Sequence, residues 1–152
     1  MDKALEQLFV EVYTKFKLQF YSRIFNRFET REASLTAVET FCIEVIHALG
    51  TPTISEFANF VDISLANATY KVQSLEKKGY LTKERSKKDR REYRLVVTER
   101  FFEYLSFNIN YVDTVIQRIE GHFSAEDVNT LKRMLNEIST ELMSEVPHYD
   151  RA

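Results

Sequence analysis

Apolar residues recur at helical spacing near the start of the chain: Leu5, Leu8, Phe9, Val12, Phe16, Phe20, Ile24 and Phe28 lie on one stripe. Tyr13, Tyr21 and Phe25 widen that stripe beyond one core face. A helix so apolar is expected to pack on two neighbours, one of them another subunit. Lightly exposed aromatics are the simpler alternative. Thr36-Ala-Val-Glu39 then reads as a capping box, in which the Thr oxygen accepts an N–H of the first turn and Glu reaches back to the cap. The helix it opens is expected to turn Val38, Phe41, Cys42, Val45, Ile46 and Leu49 inward, and Gly50 and Pro52 stop it. Thr53-Ile-Ser-Glu56 repeats the box before a short helix with Ile54, Phe57, Ala58 and Val61. Asp62-Ile63 makes the turn, and Ser64 is an N-cap for the next helix. That helix points Leu65, Ala68, Val72 and Leu75 to the core, and Gly79 ends it.

The period then changes. In residues 92–97, Tyr93, Leu95 and Val97 alternate with Glu92, Arg94 and Val96, which predicts a half-buried strand. With residues 80–85 it forms a hairpin, and the polar tip is Ser86-Lys87-Lys88-Asp89-Arg90-Arg91. A second long helix is predicted over 99–120, carrying Phe102, Leu105, Ile109, Val112, Val115, Ile116 and Ile119, with Gly121 breaking it. Ser124-Ala-Glu-Asp127 caps a last helix with Val128, Leu131, Met134, Leu135, Ile138, Leu142 and Val146, and Pro147 and a polar tail close the chain.

The predicted fold is therefore mainly α (α+β): four helices, a hairpin and two helices. Residues 35–98 read as a winged helix-turn-helix DNA-binding domain, and residues 1–34 and 99–152 as a helical dimerisation region. A helix running into a charged hairpin places one element in the DNA major groove and aims the other at the backbone or minor groove. The polar face of the helix carries Ser64, Asn67, Thr69, Tyr70, Lys71, Gln73 and Ser74, side chains able to read base edges or grip phosphate. An ordinary amphipathic helix is the plainer reading.

Charge sharpens this picture. Residues 71–100 hold eleven Lys and Arg against five Asp and Glu, a local excess of six in a chain of net charge −2. Phosphate neutralisation needs such a local patch, not a basic protein. Hydrophobic residues make up 44% and charged residues 29% of the 152, ordinary for a soluble globular protein. No apolar run approaches the length of a membrane span, and the N-terminus has acids within its apolar pattern, unlike a signal peptide. The lone Cys42 excludes an intramolecular disulfide framework and suits a reducing cytoplasm.

Several motifs together resemble the MarR family of bacterial transcription regulators. They are Leu75-Glu76-Lys77-Lys78-Gly79-Tyr80-Leu81, then Asp89-Arg90-Arg91, then Thr98 at the family's spacing, with Leu35-Thr36 before the second helix and Phe123-Ser124-Ala-Glu126 before the last. Phe101 departs from the family, which often has Gly there. The resemblance implies an obligate homodimer on double-stranded DNA, with recognition helices in successive major grooves of a pseudo-palindrome. It implies Arg91, with Arg90, in the minor groove beside Lys87 and Lys88, and Asp89 orienting an arginine by a bidentate pair or serving as a turn residue. It also implies repression relieved by a small apolar or aromatic effector, with Tyr13, Phe16, Phe20, Phe41 and Phe102 as candidate pocket residues. Core or interface packing is the plainer role for each of them.

Other chemistry finds little footing. Cys42 lies on an apolar face without an adjacent Lys, Arg or second Cys, so a buried inert thiol is expected rather than an oxidant sensor. His47, His122 and His148 lack metal-ligand spacing, so no metal or cofactor is expected. No nucleophile elbow, phosphate loop or Cys/His dyad points to an enzyme. The competing class is a winged-helix protein-interaction module without specific DNA binding, which a basic wing argues against.

Overall fold

The structure, a computed structural model, describes residues 2–29 and 35–149, with the backbone alone described at 24–29 and 104–109. The expected inward roles of Ile24, Phe25, Phe28, Leu105 and Ile109 lie outside the described side chains. The elements are α1 (Leu5–Glu29), α2 (Ala37–Ala48), α3 (Ile54–Val61), α4 (Leu65–Lys77), β1 (Leu81–Arg85), β2 (Tyr93–Val97), α5 (Glu99–His122) and α6 (Ala125–Glu137), then a π-helical segment Ile138–Leu142. Among the described residues the chain is mostly helical with one two-stranded antiparallel sheet, as expected.

Two compact units emerge, one of residues 1–33 and 105–134, the other of 34–104 and 135–152. The second thus extends past the expected 35–98: the start of α5 and the chain from the end of α6 onward join it. In the first unit Phe16 meets Tyr111 edge to face at 5.7 Å. Ile119, Phe123, Asp127, Val128 and Leu131 line a groove of about 380 Å³ where α5 turns into α6. Gly121 does not break α5, which runs on to His122. No atom crowds its Cα, and one glycine costs a helix only about 1 kcal/mol. α6 is shorter than predicted, ending at Glu137, and Val146 is exposed outside any helix.

The second unit carries the main core: Ile43, Ile46, Phe57, Ala68, Val72, Leu75, Leu95 and Phe101 are buried. All three local stop-and-start signals form as read. Thr36 and Thr53 head complete capping boxes, and Ser64 Oγ accepts from Asn67 N–H. Phe101, at the position of the family's glycine, fills the core and lies 5.0 Å from the His47 ring.

Three expectations fail here. In α2, Val38 and Phe41 are about half exposed, and Thr40 and Ile43 are buried instead. Eight of the twelve residues of the helix are apolar, so two overlapping stripes fit its spacing. Thr40 can go inside because its hydroxyl donates to Thr36 O at 3.0 Å. Leu65, in the first turn of α4, overshoots the core and is exposed. In β2 Tyr93 is exposed while Leu95 and Val96 are both buried, because the base of the strand meets both α2 and α3.

After the π-helical segment the chain returns to the turn between α2 and α3. Tyr149 forms a parallel bridge with Gly50: Tyr149 N–H donates to Leu49 O at 2.6 Å, and Thr51 N–H donates to Tyr149 O at 2.7 Å. Gly50 has φ +88°, and a Cβ there would stand 2.2 Å from Tyr149 O. Glycine is required twice over, by the backbone angle and by the closeness of the strand.

Candidate nucleic-acid interface

The two capping boxes do more than start helices. Glu39 caps α2 with one oxygen at Thr36 N–H, and its carboxylate also accepts from Ser74 Oγ at 2.6 Å and Lys78 Nζ at 2.7 Å. Glu56 caps α3 and pairs with Arg94 of β2 at 2.6 Å. Each N-terminal acid therefore binds its own helix to a second element, Glu39 to the end of α4 and Glu56 to the wing.

Burial pushes the Glu39 carboxyl up. The bonds from Lys78, Ser74 and Thr36 and the charge of Lys78 outweigh it and hold the group below its ordinary 4.5. A lowered folded value means stability that is present above pH 4.5 and lost as pH falls through the folded value. Glu39→Gln should cost about 1–2 kcal/mol at pH 7 and flatten the acid limb of stability below pH 4.5. Urea unfolding at several pH values checks this; an unchanged acid limb would remove Glu39 as its source.

α4 is held on one side by buried Ala68, Val72 and Leu75. At about 100° per residue, the opposite side is Ala66, Tyr70, Gln73 and Lys77, flanked by Asn67 and Thr69. Ala66, Asn67, Tyr70, Gln73 and Lys77 are exposed, Tyr70 at 72%. Ser64 is spent on the cap, although its residue is exposed. Thr69 is half-buried, its hydroxyl donating to Leu65 O at 2.8 Å. Ser74 points to Glu39. Lys71 is half-buried and close enough to Cys42 to act on it electrostatically, a neighbour the sequence spacing concealed. Burial outweighs that attraction and raises the Cys42 thiol, so the group stays a thiol.

The wing is a β1–β2 ladder running from Leu81↔Val97 to Arg85↔Tyr93. Its tip is built on Ser86, which is buried: Ser86 N–H donates to Glu92 O at 2.9 Å, and Ser86 Oγ accepts from Lys88 N–H at 3.2 Å. Asp89 Oδ1 accepts Arg91 N–H at 3.0 Å. Of the two roles expected for Asp89, the structure has the turn residue; it fixes the backbone of Arg91 rather than its guanidinium. Lys87, Lys88, Arg90 and Arg91 are all exposed. Among the described residues the ion pairs of this unit fall instead at Lys78, Lys83 and Arg94. Arg85 stacks on Tyr93, 5.6 Å from its ring centre. At the wing's base Thr98 Oγ1 donates to Gly79 O at 2.6 Å, and Arg100 donates to Lys78 O at 2.8 Å. The strand after the tip is thereby tied to the end of α4.

Sequence reasoning missed Ser86, Ala66 and the second partners of Glu39 and Glu56. A serine just before a charged turn was the available signal for Ser86. The other three depend on which side of each helix is covered.

The candidate pocket residues divide between the units. Tyr13 is exposed, with Lys17 Nζ 5.0 Å from its ring centre; Phe16 pairs with Tyr111, and Phe20 lies 5.8 Å from Tyr21. Phe41 and Phe102 belong to the other unit, where Phe102 stands edge-on to His47 at 5.6 Å. Burial lowers His47 from its ordinary 6.5, leaving it neutral at pH 7. Among the described residues no helix is long and apolar enough to cross a membrane, and no His, Cys, Asp and Glu group of three or more could hold a metal ion.

A search of curated protein sequences found no match. Solved structures share the fold. A transcriptional regulator of Thermotoga maritima has 23% identity and TM-score 0.56, covering 88% of this chain and 90% of its own. FabT of Streptococcus pneumoniae, solved in complex with DNA, has 20% identity and TM-score 0.56, with 93% and 99% covered. A MepR mutant from a multidrug-resistant S. aureus clinical isolate has 15% identity and TM-score 0.64, with 94% and 100% covered. Residues 35–93, which span α2, α3, α4, β1 and the wing tip and end at the first residue of β2, match the sequence model of the MarR family. The segment 35–93 is thus similar in sequence to the MarR family, and the fold around it is shared with the solved regulators named above.

Proposed function

We propose that the chain is a homodimeric, sequence-specific double-stranded DNA-binding transcriptional regulator, a cytoplasmic repressor released by a small apolar or aromatic molecule. One observation carries the DNA-binding reading: a recognition helix with an open polar face sits beside an ordered wing tip whose four cations are exposed. Both are fixed to one core through Glu39, Glu56 and Thr98. FabT, similar in fold, is seen on DNA. The homodimer is supported by apolar surface that a single chain leaves in water. On α1, Leu5, Phe9, Val12 and Leu18 are each more than half exposed; on α5 and α6, Val112, Ile116 and Met134 remain open. Tyr13, Phe16, Phe20, Phe41 and Phe102 support an aromatic effector by their chemistry alone. No catalytic residue enters the reading.

The test is to select bound fragments from a fragmented genome with the purified protein at near-physiological salt, and to weigh the protein by light scattering. The expected results are a pseudo-palindrome with half-sites about one helical turn apart and the mass of two chains. Binding without a motif would leave a non-specific or protein-directed module, and a monomer would remove the symmetric reading.

A further inference from the structure

We propose that α4 reads A·T base pairs, taking adenine through the amides of Asn67 and Gln73 and the thymine methyl through Ala66 and the ring of Tyr70. This rests on the DNA-binding reading above and names the base pairs that reading leaves open.

The argument starts from what the open face lacks. The commonest specific contact in a major groove is Arg or Lys to guanine O6 and N7. α4 has no arginine. Lys71 is half-buried, on the flank of the helix between its covered and open sides. Lys77 is the last helical residue, whereas a recognition helix touches bases with its N-terminal turns. The outward face over those turns is Ala66, Asn67, Tyr70 and Gln73, uncharged throughout. Asn and Gln match adenine, offering a donor to N7 and an acceptor to N6 together. A methyl side chain and an aromatic ring match the one apolar feature of the groove, the thymine C5 methyl.

Exposure points the same way. Tyr70 is 72% exposed and Leu65 55%, so the helix holds apolar surface in water at the end that would meet bases. The cations are segregated onto the wing tip and the end of the helix. Charge there supplies grip, and the neutral face supplies choice.

The test uses the full chain and the operator obtained by genomic selection. Half-site thymines are replaced by deoxyuridine, which removes the methyl and keeps the pairing; flanking thymines are replaced as a control. We expect roughly a fourfold loss of affinity per contacted methyl in the half-site and none in the flank. Tyr70→Ala should bind thymine and deoxyuridine duplexes alike at one position. Gln73→Ala should lose roughly tenfold of its preference for adenine at one position, with non-specific affinity and salt slope unchanged. A half-site core of G·C pairs, or wild-type binding indifferent to deoxyuridine, overturns the inference while the DNA-binding reading stands. Absence of any selected motif overturns both. The wild-type comparison needs no variant to fold.

Discussion

Replacing Arg90 and Arg91 together by alanine should weaken operator binding roughly hundredfold and lower the salt dependence of log K by about two. The size follows from removing two exposed cations from a tip that presents them in fixed positions. The tip itself should survive. Its turn is held by Ser86 Oγ, by Ser86 and Glu92 backbone bonds and by Asp89 on the Arg91 amide, none of which uses a guanidinium. Thermal stability should therefore stay within about 0.5 kcal/mol of the parent, as for other surface changes. Titration of labelled duplex at four salt concentrations measures both quantities. Unchanged affinity and slope would take the wing out of the mechanism and leave α4 alone to hold DNA.

Phe57→Ala should cost about 3–5 kcal/mol of folding stability, the range for an aromatic ring removed from a packed core. Phe57 is wholly buried and sits on α3, the helix that braces α4 and, through Glu56, the wing. A cavity there loosens both halves of the interface, so DNA binding should fail at temperatures where the parent still binds. At low temperature, where the variant is folded, its affinity should return to near the parent's. Denaturant unfolding gives the first result and binding against temperature the second. A loss under 1 kcal/mol would mean that the core collapses around the missing ring.

Local signals were legible and tertiary partners were not. Thr36, Thr53 and Ser64 could be assigned as caps because a cap involves residues three apart in the chain. The turn at Asp62 was equally local: Asp62 takes φ 55°, which its short polar side chain tolerates. α2 defeated the pattern because eight of its twelve positions are apolar, and spacing cannot choose between Phe41 and Ile43 when both fit a stripe. The cations of the wing were countable, but which of them are free was not. Arg94 and Arg100 belong to Glu56 and to Lys78 O, partners 38 and 22 residues away. Lys71 looked like part of the open face and is half-buried. The bridge of Tyr149 to Gly50 had no signature at all. One bridged pair 99 residues apart leaves no period in the sequence, only a glycine that reads as an ordinary helix stop.

That bridge sets an order of events during synthesis. Residues 35–104 leave the ribosome early, with three helices and the wing already complete. The edge of the Gly50 turn stays unpaired until Tyr149 follows, and by then residues 105–134, which belong to the other unit, have been made in between. The loop so closed is long, and such closures come late because their entropic cost is met before any contact repays it. Nascent chains would therefore carry a nearly finished winged helix with one open seam. The same seam decides how the domain can be moved: a graft of 35–104 alone leaves it open, and a transplant that keeps it shut must bring residues 135–149 as a second piece.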